Sequence, residues 1–190
     1  MNRYSIMKKA IFGITATVAL AGTALAASLT SGLTKGQDVS PFHPKHVVGA
    51  LANSEKCFPC TYKNRPQVQV WVNGDDVNNV LAIAKELNNA QNTFSGKEFK
   101  ALVVFIAPES KQAALKKTLV DAAKKNNLEK VAMAMITPDD EAIKAYNINM
   151  KAKNTIIAYK DWKVTDTWVD VKASPAVAKA LNAGIAKIAK

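Results

Sequence analysis

Ala101-Leu102-Val103-Val104-Phe105-Ile106 is apolar without a break and only six residues long. A strand with one face in water alternates polar and apolar residues, whereas a short unbroken run belongs to a strand covered on both faces, as in a parallel sheet flanked by helices. This run predicts an α/β fold, with the segment itself at the centre of the sheet.

The neighbouring segments supply the remaining elements. Gln67-Val68-Gln69-Val70-Trp71-Val72 alternates polar and apolar residues, the pattern of a strand with one buried face, and is expected at a sheet edge. Val77, Val80, Leu81, Ala84 and Leu87 then recur at helical spacing behind Asp75 and Asp76, whose charges suit the positive end of a helix. A second helix is predicted over 110–126 with Leu115, Leu119, Ala122 and Ala123 facing inward, followed by a strand over 131–136. Thr137-Pro138 places a capping hydroxyl before a proline suited to the first helical position, which predicts a short helix to Tyr146. Thr155–Tyr159 and Val164–Val169 are β-rich and close enough in sequence to form a hairpin. Ser174-Pro175 opens a last helix striped by Val177, Leu181, Ile185 and Ile188. From Pro66 the order is β-α-β-α-β-α-β-β-α, which predicts right-handed parallel crossovers completed by an antiparallel hairpin.

The N-terminus reads differently. Arg3, Lys8 and Lys9 precede the apolar stretch Ala10–Leu20, and Ala24-Leu25-Ala26 has the form cleaved by signal peptidase. A cleavable signal peptide over 1–26 is expected, with a periplasmic or secreted product. Its removal takes three basic and no acidic residues, leaving a net charge of +8. The lysines are dispersed, with no arginine cluster or RNA-binding aromatic motif. The expected partner is therefore an exported protein or an anionic surface rather than nucleic acid, and the expected state is a monomer. Residues 27–65 show no sustained period and read as an irregular arm leading into a domain over 66–190.

Two stretches carry a resemblance to a known family. Val103-Val104-Phe105-Ile106-Ala107-Pro108-Glu109 resembles the thioredoxin strand that ends in Phe-Trp-Ala before the catalytic motif. Asn154-Thr155-Ile156-Ile157-Ala158-Tyr159-Lys160-Asp161 resembles the Pro-Thr-apolar strand and the turn after it. With the element order, these identify the chain as similar to the thioredoxin-like superfamily. The resemblance implies a three-layer fold with a central mixed sheet flanked by helices. It also implies a reactive cysteine at the start of the helix after the central strand, beside a cis-proline. Here Ser110 falls at the cysteine position, Ala113 at the resolving position and Asn154 at the proline. The family's catalytic cysteines are thus expected to be missing, with Ser110 acting as a helix N-cap.

The only two cysteines lie in the arm, as Cys57-Phe58-Pro59-Cys60. This spacing serves a redox pair, a fixed disulfide, half a zinc site or a haem attachment; Thr61 stands where covalent haem needs a histidine. Lys56, Lys63 and Arg65 favour thiolate chemistry, while Thr61–Arg65 is expected to run straight towards a strand, without a helix to activate a thiol. Both histidines also fall in the arm, so His43, His46, Cys57 and Cys60 form a candidate zinc or copper(I) set. Met133, Met135 and Met150 read as packing residues, and Trp71, Trp162 and Trp168 as strand and turn residues near sheet edges. The leading expectation is an exported redox-accessory or binding module with a displaced Cys57/Cys60 disulfide and no bound cofactor. As an enzyme it would be a thiol-disulfide oxidoreductase. Metal binding through the four-ligand set and a pure interaction scaffold are the alternatives.

Overall fold

A computed structural model describes residues 29–190; the signal peptide read over 1–26 lies outside them. In chain order the elements are β1 (Lys45–Val48), α1 (Phe58–Tyr62), β2 (Gln67–Val72), α2 (Val77–Thr93), β3 (Lys100–Ile106), α3 (Glu109–Lys125), β4 (Ala132–Ile136), α4 (Glu141–Ala145), β5 (Asn154–Lys160), β6 (Lys163–Val169) and α5 (Pro175–Ile188). From β2 onward this is the predicted order. The six strands form one sheet in the order β1-β4-β3-β2-β5-β6. β2, β3 and β4 are parallel, and β1, β5 and β6 run antiparallel to their neighbours.

One face packs under α2, α3 and α5 through Val70, Val103, Leu87, Leu119, Leu181 and Ile185. The other is covered by α1, α4 and the arm, where Leu33, Val39, Phe42, Phe58 and Tyr146 meet Trp71, Leu102 and Val104. β2 is therefore not an edge strand. It lies between β3 and β5, every residue in it is buried, and Trp71 is a core residue in contact with Phe42 and Tyr146. The glutamines that read as a solvent face are accommodated by hydrogen bonds. Gln69 Nε2 donates to the Tyr159 hydroxyl at 2.7 Å, Trp71 Nε1 donates to Gln69 Oε1 at 3.2 Å, and Tyr159 donates to Gln67 Oε1 at 2.8 Å. Tyr146 extends the network by donating to Ser40 O in the arm at 2.6 Å. Burial of the two hydroxyls pushes both tyrosines well above the usual phenol range.

The arm is irregular between its elements but is not an appendage. β1 pairs with β4 and supplies one edge of the sheet. The hairpin forms as expected, around Asp161 and Trp162, whose φ values of 52° and 66° suit a two-residue turn of the twist-matching kind. Two caps differ from expectation. Asp140, not Thr137, caps α4 by accepting from Ala142 N. α3 starts one residue before Ser110, with Pro108 at the N-cap position and no side-chain cap, so Ser110 is an exposed first-turn residue. α5 opens at Ser174-Pro175 as predicted, with the Ser174 side chain accepting from Val177 N. Among the described residues no helix is long and apolar enough to cross a membrane.

Candidate functional site

Cys57 and Cys60 are joined as a disulfide with their Cα atoms 5.2 Å apart. The sequence predicts a direct run from Thr61 into the next strand; instead Cys57 is the N-cap of α1, and its Sγ accepts from Cys60 N at 3.1 Å. Pro59, in the first turn of α1, sits where a missing N–H costs nothing. Cys57 O accepts from Thr61 N at 3.0 Å and from Thr61 Oγ1 at 2.8 Å. A five-residue helix gives only a small dipole, so these local hydrogen bonds, rather than a macrodipole, define the electrostatics around the sulfurs.

One aromatic contact braces this helix internally, and three more tie it and its flanking residues to the sheet. Phe58, 1% exposed, meets Tyr62 edge-on at 4.8 Å and stacks on His46 at 6.4 Å. His46 Nε2 donates to Lys56 O at 2.9 Å, and Gln67 Nε2 donates to Lys63 O at 2.9 Å, just past the end of α1. The two sulfurs differ in their surroundings. Cys57 is buried, at 6% exposure, whereas Cys60 is exposed. Both line a shallow surface depression with His43, Glu55, Lys56 and Thr61. Thr61 also borders a second depression, whose cations are Lys63, Arg65, Lys97, Lys160 and Lys190. Arg65 is held by Glu98 at 2.8 Å, a contact that draws the Glu98 carboxyl below its usual range.

The four candidate metal ligands do not come together. The thiolates are consumed in the disulfide, His46 is buried with Nε2 committed to Lys56 O, and only His43 shares the cysteines' depression. Among the described residues no group of three or more His, Cys, Asp or Glu side chains converges as a metal site.

No protein-family model matches the sequence, and no curated protein matches it. Solved structures do. One is described as the thiol:disulfide interchange protein DsbE of Chlorobium tepidum, with a TM-score of 0.62 at 14% identity over 83% of this chain and 99% of that one. Another is the thioredoxin domain of a thiol-disulfide oxidoreductase from Bacteroides vulgatus, with a TM-score of 0.61 at 12% identity over 83% and 99%. A third is a cysteine-to-serine mutant of PrxQ from Xylella fastidiosa, at 0.59 and 15% identity over 85% and 100%. The chain has a thioredoxin-like fold.

In the thioredoxin-like fold the cysteine-bearing helix start and the proline position meet, and this corrects the assignment of Ser110. Asn154 begins β5, whose neighbour is β2, so the helix start beside it is that of α2. Asn154 Nδ2 donates to Asp75 Oδ2 at 2.7 Å, and Asn79 Nδ2 donates to the same oxygen at 2.6 Å. Val171 closes the group, donating from its N to Asn154 Oδ1 and accepting at its O from Asn154 and Asn79, each at 2.9 Å. Ser110 and Ala113 lie on α3, a different helix. No cysteine stands at either helix start, so the absence of the family's cysteine pair holds with Asp75 and Asp76 in place of Ser110. What fills that position is a polar clasp joining the β2–α2 turn to the start of β5 and the chain after β6. The acidic start at Asp75 and Asp76 was legible in the sequence; its meeting with Asn154 depends on strand order. Cys57–Cys60 precedes β2 in the chain and the clasp follows it, and none of the clasp residues lines the cysteines' depression.

Proposed function

We propose that the chain is an exported redox-accessory or binding module that exchanges with thiols of an acidic partner protein through Cys57–Cys60, and does not use the position where thioredoxins carry their cysteines. The observation that carries this reading is the disulfide's setting: one sulfur exposed in an open depression, on a short helix held by Phe58, His46 and Gln67. A bridge closing so short a loop removes little unfolded-chain entropy, so global stability is a weak reason for its presence. The thiol-disulfide proteins among the structural neighbours support the same chemistry. The cations beside Thr61 support an acidic partner, because like-charged partners are disfavoured at encounter. The leader read over 1–26 supports export, into a compartment where disulfides persist.

The test is a redox titration of the purified protein in glutathione buffers, with thiols counted by alkylation and mass. An exchangeable pair equilibrates above about −300 mV. A bridge that stays closed at much lower potential would mark a structural clamp and favour the scaffold reading. Insulin reduction, the ordinary thioredoxin readout, is expected near background.

A further inference from the structure

We propose that Cys60 is the sulfur through which the pair exchanges, and that Cys57 is the leaving and resolving sulfur. This rests on the redox reading above and reverses the polarity that the thioredoxin resemblance implies, where the cysteine at the helix start is the one that reacts.

Access decides the assignment. An attacking thiolate approaches along the S–S axis from behind the sulfur it strikes, so the struck sulfur needs an open far side. Cys60 is exposed. Cys57 is 6% exposed, followed directly by the fully buried Phe58, and occupies the N-cap position of α1. The hydrogen bond from Cys60 N to Cys57 Sγ, 3.1 Å long, remains available to the departing thiolate and favours it as leaving group.

In the first step a partner thiolate attacks Cys60 Sγ. A partner–Cys60 disulfide forms, the Cys57–Cys60 bond breaks, and its electron pair leaves on Cys57 Sγ. With a dithiol partner, the second partner thiolate attacks the partner's own sulfur in that mixed disulfide, forming the partner's disulfide and releasing Cys60 as thiolate. The partner is oxidised by two electrons, and the pair is reduced by two electrons and takes up two protons. Run backwards, the same sequence has Cys60 attack a partner disulfide, after which Cys57 resolves the mixed disulfide.

Glutathione added to the full oxidised protein, followed by rapid alkylation and peptide mapping, reads the assignment directly. The expected adduct is glutathione on Cys60 with the alkyl group on Cys57, at least tenfold more abundant than the converse. A predominance of glutathione on Cys57 overturns the assignment and leaves the redox reading standing. A pair that glutathione does not open overturns both. As a second measurement, Cys57→Ser, which leaves Cys60, should react with Ellman's reagent at least tenfold faster than Cys60→Ser; equal rates overturn the argument from access.

Discussion

Gln69 shows how much of this core depends on single polar atoms. It is fully buried in β2, its amide donates to Tyr159, and its carbonyl accepts from Trp71. Gln69→Leu fits the space but strands the indole N–H of Trp71 in an apolar layer. Leaving a buried donor unpaired costs about 1–3 kcal/mol, so the variant should unfold at a correspondingly lower urea midpoint with an unchanged slope. An unshifted midpoint would mean that the network contributes nothing net. This residue also marks a limit of reading the sequence. Alternating glutamines are what a half-solvated strand looks like, and the tyrosines that pair with them, Tyr146 and Tyr159, come from distant parts of the chain. The cysteine pair was legible as a motif. The helix it caps was not, because a five-residue turn is too short to show a period.

At the scale of elements, β1 makes the shortest ladder of the sheet, three register pairs on β4 with an irregularity between His46 and Val48, and Gly49 follows it directly. Gly49 has φ +89°, and a Cβ there would lie 2.9 Å from Ala132 Cα and 3.2 Å from Ala132 N. Backbone atoms of β4 cannot swing aside as a side-chain tip can. Gly49→Ala therefore combines left-handed strain with overpacking, together about 2–4 kcal/mol. The loss should appear as a lower thermal midpoint and as faster amide exchange in β1 and α1 than in β2 and β3. Uniform acceleration across the sheet would show instead that β1 opens only with the whole fold. The alternation of elements from Pro66 onward was readable because each carries its own pattern: the unbroken run of β3, the stripe of α5, the short spacer between the two β-rich runs that became β5 and β6. Which strands adjoin was not readable. The sheet-edge expectation for β2 and the assignment of Ser110 both failed for that one reason, since pairing β2 with β5 is a long-range fact that places α2, rather than α3, beside Asn154.

Taken whole, the molecule carries one buried imidazole that couples its stability to pH near neutrality. His46 is 2% exposed; Nε2 carries the proton shared with Lys56 O, and Nδ1 is buried without a hydrogen-bond partner. Burial lowers the imidazole below its ordinary value of 6.5, and the Lys56 carbonyl only partly opposes this. The unfolded chain therefore takes up the proton first as pH falls. Stability contributed by the neutral ring is complete above about 6.5, declines as pH drops through that value, and levels off once the folded protein is also protonated. Urea midpoints measured between pH 7.5 and 5.5 should fall on the acid side, and His46→Gln should remove most of that slope. The exposed carboxylates of Glu98 and Asp139 are shifted downward, so they titrate below this window and cannot produce the decline. Protonation leaves the bond from Nε2 to Lys56 O in place, since that carbonyl favours the charged ring; what it disfavours is burial of the charge, a cost that local opening around β1 and α1 relieves. Amide exchange in α1 should accelerate over the same interval, while a flat stability profile or an unchanged slope in His46→Gln would rule out the buried ring as its source.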